Sequence, residues 1–159
     1  MKKIQGFTII ELLVYIALTS ILISLMSQIF LATLGVRLES QSTTNVQQDG
    51  RYIMSRLSYD VRRATSIEVP LSGQTSSSLS LRIFENGAYQ TYTYAVSNTD
   101  LMLSSGSDTD PLTSSGTTVE SLSFRRVSET VEITLTLVGS EEVSSGQQTI
   151  TLQTSVGIR

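Results

Sequence analysis

Residues 12–36 form a run of 25 positions without a charge, close to the start of a chain of 159 residues. As an α-helix this run would extend about 37 Å at 1.5 Å per residue, enough to cross a hydrocarbon core of roughly 30 Å. Nothing else in the sequence constrains the fold as strongly. One residue interrupts the apolar texture: Glu11 stands between Ile10 and Leu12. There an ionised carboxylate costs about 2.5–3.5 kcal/mol on insertion scales.

Three readings account for the run to different degrees. A cleaved secretory signal has a shorter apolar region and small residues at an A-x-A-like site. Here the run is too long, and Thr33-Leu34-Gly35 is a poor site. A plain membrane anchor fits the length, and Lys2 and Lys3 would hold the N-terminus on the cytoplasmic side, but it gives Glu11 no purpose. In the third reading a short basic leader ends at Gly6, the aromatic Phe7 follows, and Glu11 is the fifth residue counted from Phe7.

The stretch GFTIIELLV at residues 6–14 resembles the processing motif of type IV pilins and type II secretion pseudopilins. The resemblance implies a membrane-embedded aspartyl prepilin peptidase that cuts between Gly6 and Phe7 and methylates the new amine of Phe7. It also implies that Glu11 is the charge that sets register during assembly. The cellular course it implies is a single-pass protein of the bacterial inner membrane, N-terminus cytoplasmic and head outside, later part of an extracytoplasmic filament. Its partners would be the peptidase, the membrane and other pilin or pseudopilin subunits. The physics agrees: glycine lets an extended backbone enter a tight protease site. A buried carboxylate persists when it is paired, and the Phe7 amine, its own or a neighbour's, is such a pair.

Polar residues begin at Arg37, yet no proline occurs before Pro70. Val36, Thr43, Val46, Gly50, Ile53, Leu57, Val61 and Ala64 recur at steps of three and four, predicting an amphipathic helix with a core-facing seam. The whole helix is expected over about residues 7–64. Gly50, worth about 1 kcal/mol less than alanine in a helix, is read as a possible bend. Arg56 and Asp60 are read as an i,i+4 pair on the opposite, solvent face.

From Ser66 the texture changes to short alternating runs between Ser/Thr-rich turns. LSLRIF at 79–84 and YQTYTY at 89–94 flank Glu85-Asn86-Gly87, a hairpin signal in which Asn-Gly supplies positive φ. Residues 119–127 and 130–138 predict a second hairpin around Ser128-Glu129, and residues 149–158 a last strand. Residues 101–103 are read as a short edge strand and 104–116 as a loop. The expected fold is α+β and pilin-like, with one long helix packed on an antiparallel sheet. The expected division is a leader at 1–6, a transmembrane and assembly half at 7–36, an amphipathic half at 37–65 and a β-rich head at 66–159.

Composition excludes more chemistry than it suggests. The chain has no cysteine and no histidine, and Lys2 and Lys3 are its only lysines. Disulfides, thiol nucleophiles, zinc-thiolate sites and His-dependent triads are ruled out. The net charge of −3, with no basic cluster beyond Arg62-Arg63 and Arg125-Arg126, predicts no nucleic-acid binding. Asp100, Asp108 and Asp110 have the oxygen ligands of a calcium site, but a solvated loop is the preferred reading. Tyr92 and Tyr94 share a strand face and Tyr89 points the other way, which favours sheet packing over a binding strip. Arg62-Arg63 are expected to satisfy helix-end carbonyls or neighbours. No catalytic residue, cofactor or metal is nominated, and the chain is read as a substrate of enzymes rather than an enzyme.

The order of helix, Arg62-Arg63-Ala64, paired hairpins and a closing VGIR strand is similar to the J-type minor pseudopilins and related minor pilins. A structural subunit, in a minor position of a pilus or secretion pseudopilus, is therefore the expected function. The reading from a different class is a membrane-anchored binding module whose β head recognises a ligand and never assembles.

Overall fold

Nothing in the first 60 residues stops a helix, and the helix runs on accordingly. The structure, a computed structural model, describes residues 8–140 and 146–158. Its one long helix, α1 (Ile9–Arg63), spans 55 residues. Thr8 caps it: the Glu11 N–H donates to Thr8 Oγ1 at 3.3 Å and the Leu12 N–H to the Thr8 carbonyl at 3.2 Å. Arg62 and Arg63 occupy the last turn, where positive charge complements the helix dipole.

The chain divides into two compact units, Met1–Leu38 and Glu39–Arg159. In the first unit, the segment Ile9–Arg37 has a mean hydropathy of 2.3 and is long and apolar enough to cross a membrane. None of it is buried against the rest of the chain. Two of its hydroxyls turn back onto their own helix. Ser20 Oγ donates to the Ile16 carbonyl and Thr33 Oγ1 to the Ile29 carbonyl, both at 2.8 Å. Such bonds keep hydroxyls satisfied where no water is available.

In the second unit the seam of α1 meets the strands. Val46, Gly50, Ile53, Leu57 and Val61 are buried, and Ala64 just past the helix end is buried too. Thr43 is half-buried, and Val36, which belongs to the first unit, is 67% exposed. Gly50 has a packing reason of its own. A Cβ there would lie 2.5 Å from Leu152 Cδ1 and 3.4 Å from Leu137 Cδ1, so the missing side chain lets a strand approach.

The strands form two antiparallel sheets rather than the single one expected. The five-stranded sheet has the order β1 (Ala64–Val69), β3 (Leu79–Glu85), β4 (Ala88–Ser97), β5 (Asp100–Ser105), β6 (Asp108–Pro111). The four-stranded sheet runs β2 (Thr75–Ser76), β7 (Thr117–Val127), β8 (Thr130–Gly139), β9 (Thr149–Gly157). Alternation decides which face is inside. Leu79, Leu81 and Ile83 of β3 and Val131, Ile133, Leu135 and Leu137 of β8 are buried, while their sequence neighbours are half-buried or exposed.

Both predicted hairpins form. Glu85 pairs with Ala88 across Asn86 (φ 52°) and Gly87 (φ 81°), the two positive φ values of a type I′ turn. Val127 pairs with Thr130 across Ser128 (φ 58°) and Glu129. Two expectations are corrected. Residues 101–103 do not form an edge: β5 lies between β4 and β6, with Leu101 fully buried and Leu103 nearly so. The predicted loop at 104–116 contains β6, joined to β5 by a turn at Gly106-Ser107. Of DTDP only Thr109 favours strands, while Asp and Pro are depleted in them; pairing with β5 holds the segment there.

Candidate functional site

Of the residues that the sequence marks for processing, Gly6 and Phe7 lie outside those described. Glu11 does not. It sits in the first turn of α1 with its side chain exposed, flanked by Ile10 at 72% and Leu12 at 53% exposure. It is the only charged residue between Thr8 and Val36. Thr8 and Glu11 stand at the S/T-x-x-E spacing of a capping box, in which the cap hydroxyl accepts from the N–H three residues on. That spacing was available in the sequence and points to where the helix starts. A carboxylate in this turn also faces the positive end of the helix dipole. The arrangement thus presents one negative charge on an otherwise apolar, exposed helical surface.

The second concentration of charge is inside the head. Asp60 is fully buried on the seam side of α1, three residues after Leu57 and four before Ala64. The expected solvent-face pair of Arg56 and Asp60 is therefore corrected. Asp60 accepts from Arg56 Nε at 2.9 Å and from Arg63 Nε at 2.8 Å, and the Tyr94 hydroxyl of β4 donates to it as well. Arg63 reaches further, to Glu85 at 3.4 Å, and the Tyr92 hydroxyl donates to Glu85 at 2.6 Å. The Arg63 guanidinium also lies over the rings of Tyr59 and Tyr92, 5.0 and 5.1 Å from their centroids.

Tyr94, Glu85 and Arg63 shift accordingly. Burial pushes the Tyr94 hydroxyl far above its usual value, and the hydrogen bond to Asp60 and its charge add to this. The Tyr92 hydrogen bond, with help from Arg63, holds Glu85 below the usual carboxylate range. For Arg63, burial opposes the charged form, but the hydrogen bond and charge of Asp60 outweigh it and raise its pKa. This cluster joins the helix end to β3 and β4. It is a fixed electrostatic lock built around a fully buried carboxylate.

The other candidates fall into place around it. Tyr92 and Tyr94 face inward, whereas Tyr89 is 53% exposed, packed edge-on against Phe84 at 5.1 Å with Arg82 above its ring at 4.5 Å. Asp100 accepts from Thr113 Oγ1 at 3.0 Å, and Asp108 and Asp110 are exposed on β6. Among the described residues no group of three acidic side chains is placed to hold a metal ion. Arg126 bridges the sheets, donating to the Ile67 carbonyl at 2.7 Å, while Arg125 pairs with Glu132 at 2.7 Å on the surface. Sequence reasoning missed Asp49, which accepts from both the Ser114 N–H and Oγ and holds the segment after β6 against the helix.

Residues 1–27 match the Prokaryotic N-terminal methylation motif. No curated protein and no solved structure matches the chain.

Proposed function

We propose that this chain, a prepilin-type protein of the type IV pilin and pseudopilin family by its N-terminal methylation motif, is a structural subunit that moves from the membrane into a filament. One observation carries the reading. The motif at residues 1–27 opens a helical segment, Ile9–Arg37, that is unburied, membrane-length and apolar, and that carries one carboxylate in its first turn. A mere anchor gains nothing from that carboxylate, which makes lipid a poorer environment.

In this proposal the prepilin peptidase cuts between Gly6 and Phe7 on the cytoplasmic side and methylates Phe7. The cut removes both lysines and leaves the apolar helix attached to the product. It also creates a positive amine on Phe7, four residues before Glu11 in the sequence. Within a filament core that amine, or the one on an adjacent subunit, neutralises Glu11 and fixes the axial register. The head, residues 66–159, stays outside the inner membrane. The order of helix, Arg62-Arg63-Ala64, paired hairpins and closing strand supports a minor, J-type position. The family that carries this motif consists of structural subunits, and the lock around Asp60 serves stability rather than catalysis.

Intact-mass measurement of protein purified from its native membrane tests the processing step. The expected mass begins at Phe7 and includes one extra methyl group. A mature chain that starts at Met1, or after Gly35, overturns it.

A further inference from the structure

Two sheets have four edge strands, and three of these carry features that discourage pairing. β6 has four residues, among them Asp108, Asp110 and Pro111. β2 has two residues. β1 includes Glu68 and two register irregularities against β3. Charge, proline, brevity and bulges are how proteins keep open edges from pairing with other chains. β9 has none of them. Its nine residues, TITLQTSVG, contain no charge and no proline, and they pair with β8 without a bulge from Thr149 to Gly157.

The backbone direction of β9 follows from two bonds at its ends. The Gly139 N–H donates to the Gln148 carbonyl at 2.8 Å, and the Ile158 N–H donates to the Glu129 carbonyl at 3.0 Å. In an antiparallel ladder the residues bonded to the partner alternate. Even-numbered residues of β9 therefore turn toward β8, and Thr149, Thr151, Gln153, Ser155 and Gly157 turn their N–H and C=O groups outward. Among the described residues β9 pairs with β8 alone.

Helix α1 runs alongside this edge in the same direction. A cavity of about 150 Å³ lies between Thr43, Val46 and Gln47 and the start of β9 at Thr149 and Ile150. Leu152 sits over Gly50. A cavity of about 490 Å³ lies between Tyr59, Arg62 and Arg63 and the end of β9 at Gly157 and Ile158. The open edge and the helix thus frame a slot with a recess at each end and the Gly50–Leu152 contact between them.

We propose that this slot accepts an extended strand from a neighbouring subunit, extending the four-stranded sheet by β-augmentation. The proposal rests on the subunit reading above. A two-fold pairing of β9 with its own copy would set the two head helices antiparallel, whereas subunits of one filament share a polarity and meet through unlike surfaces. The incoming strand is therefore a different segment from β9. Its chemistry follows from the walls. Arg62, which lines the cavity at the end of β9, is exposed and in no ion pair among the described residues, and the acidic residues of this part of α1, Asp49 and Asp60, are already engaged. The occupant is an alternating strand, uncharged along its middle, with a carboxylate where it passes Arg62.

Hydrogen exchange on the full-length chain, in the isolated membrane form and in filaments, tests this. The amides of Thr151, Gln153 and Ser155 exchange freely in the isolated form and become protected on assembly. Gln153→Pro removes one outward N–H without touching the β8 ladder, a placement proline tolerates on edge strands. It is expected to lower filament incorporation about tenfold, with Gln153→Thr assembling as the unaltered chain does. Assembled filaments in which the three amides still exchange freely overturn strand addition and leave the subunit reading standing. An unaltered chain that enters no filament overturns both. If Gln153→Pro fails to fold, the exchange of the unaltered chain decides.

Discussion

Tyr94 donates its hydroxyl hydrogen to Asp60, a carboxylate that no solvent reaches, from a strand 34 residues further along the chain. With Arg56 and Arg63 bound to the same carboxylate, this contact decides where the helix end sits on the five-stranded sheet. Removing one member of a buried pair typically costs about 3–5 kcal/mol, and the two arginines here are partly solvated, which reduces the figure. Asp60→Ala is therefore expected to lower unfolding free energy by about 2–4 kcal/mol. Tyr94→Phe, which removes one hydrogen bond to a charged group, should cost about 1.5–3 kcal/mol. Denaturant melts of the two variants check both values, and the double variant should cost less than their sum because they share a partner.

The same cluster gives stability a defined dependence on pH. Glu85 is held below its ordinary value of 4.5 by the Tyr92 hydroxyl and then by Arg63. Its contribution is present above pH 4.5 and is lost as pH falls through the lower folded value. Tyr94 is raised above its ordinary value of 10.0, first by burial and then by Asp60. Its contribution is present below pH 10 and is lost as pH rises, because the unfolded chain ionises first. Melting temperature measured across pH should fall at both ends, with Tyr92→Phe weakening the acid limb and Tyr94→Phe the alkaline one. An alkaline limb unchanged by Tyr94→Phe would show that another group controls it.

Gly50 illustrates a glycine retained for space. Helix propensity alone favours alanine there by about 1 kcal/mol, but the added Cβ meets Leu152 Cδ1 at 2.5 Å. Leu152 is only half-buried, so its side chain can turn aside for a methyl group. A leucine at position 50 is a different matter, since it would have to displace β9 from the helix. Gly50→Leu is expected to destabilise the head by about 1–3 kcal/mol through overpacking, with Gly50→Ala close to neutral. Thermal melts of both variants distinguish a packing role from a bend, for which alanine would be the more harmful change.

The elements written in local chemistry were legible from sequence. Asn86-Gly87 announces its turn, the alternation of 79–84 and 130–138 announces strands, and the absence of proline before residue 70 announces one long helix. What depends on distant partners was not. DTDP reads as loop until β5 supplies its ladder. Asp60 falls at seam positions relative to Leu57 and Ala64, so its burial was present in the spacing. A charged residue is assigned to solvent by default, and the bonds from Tyr94, Arg56 and Arg63 make the interior acceptable. The division into two sheets was equally hidden, because it follows from which hairpins neighbour one another and not from any hairpin's own sequence.

Glu11 is the residue on which the functional reading turns. Its capping role is carried by the backbone N–H that donates to Thr8 Oγ1, so changing its side chain leaves the helix start intact. Glu11→Leu should insert into membranes as well as the unaltered chain or better, because the insertion cost of about 2.5–3.5 kcal/mol disappears. Cleavage after Gly6 should persist, since the cut lies on the far side of Phe7. Filament incorporation should fall sharply, because the positive amine would be buried alone, at a typical cost of about 3–5 kcal/mol. Glu11→Gln keeps the shape and removes the charge, so it should fail in the same way. Quantifying membrane-bound, cleaved and assembled fractions separates these steps. Normal assembly of either variant would mean that Glu11 does not set the register. Failure of both to insert would move its role to targeting.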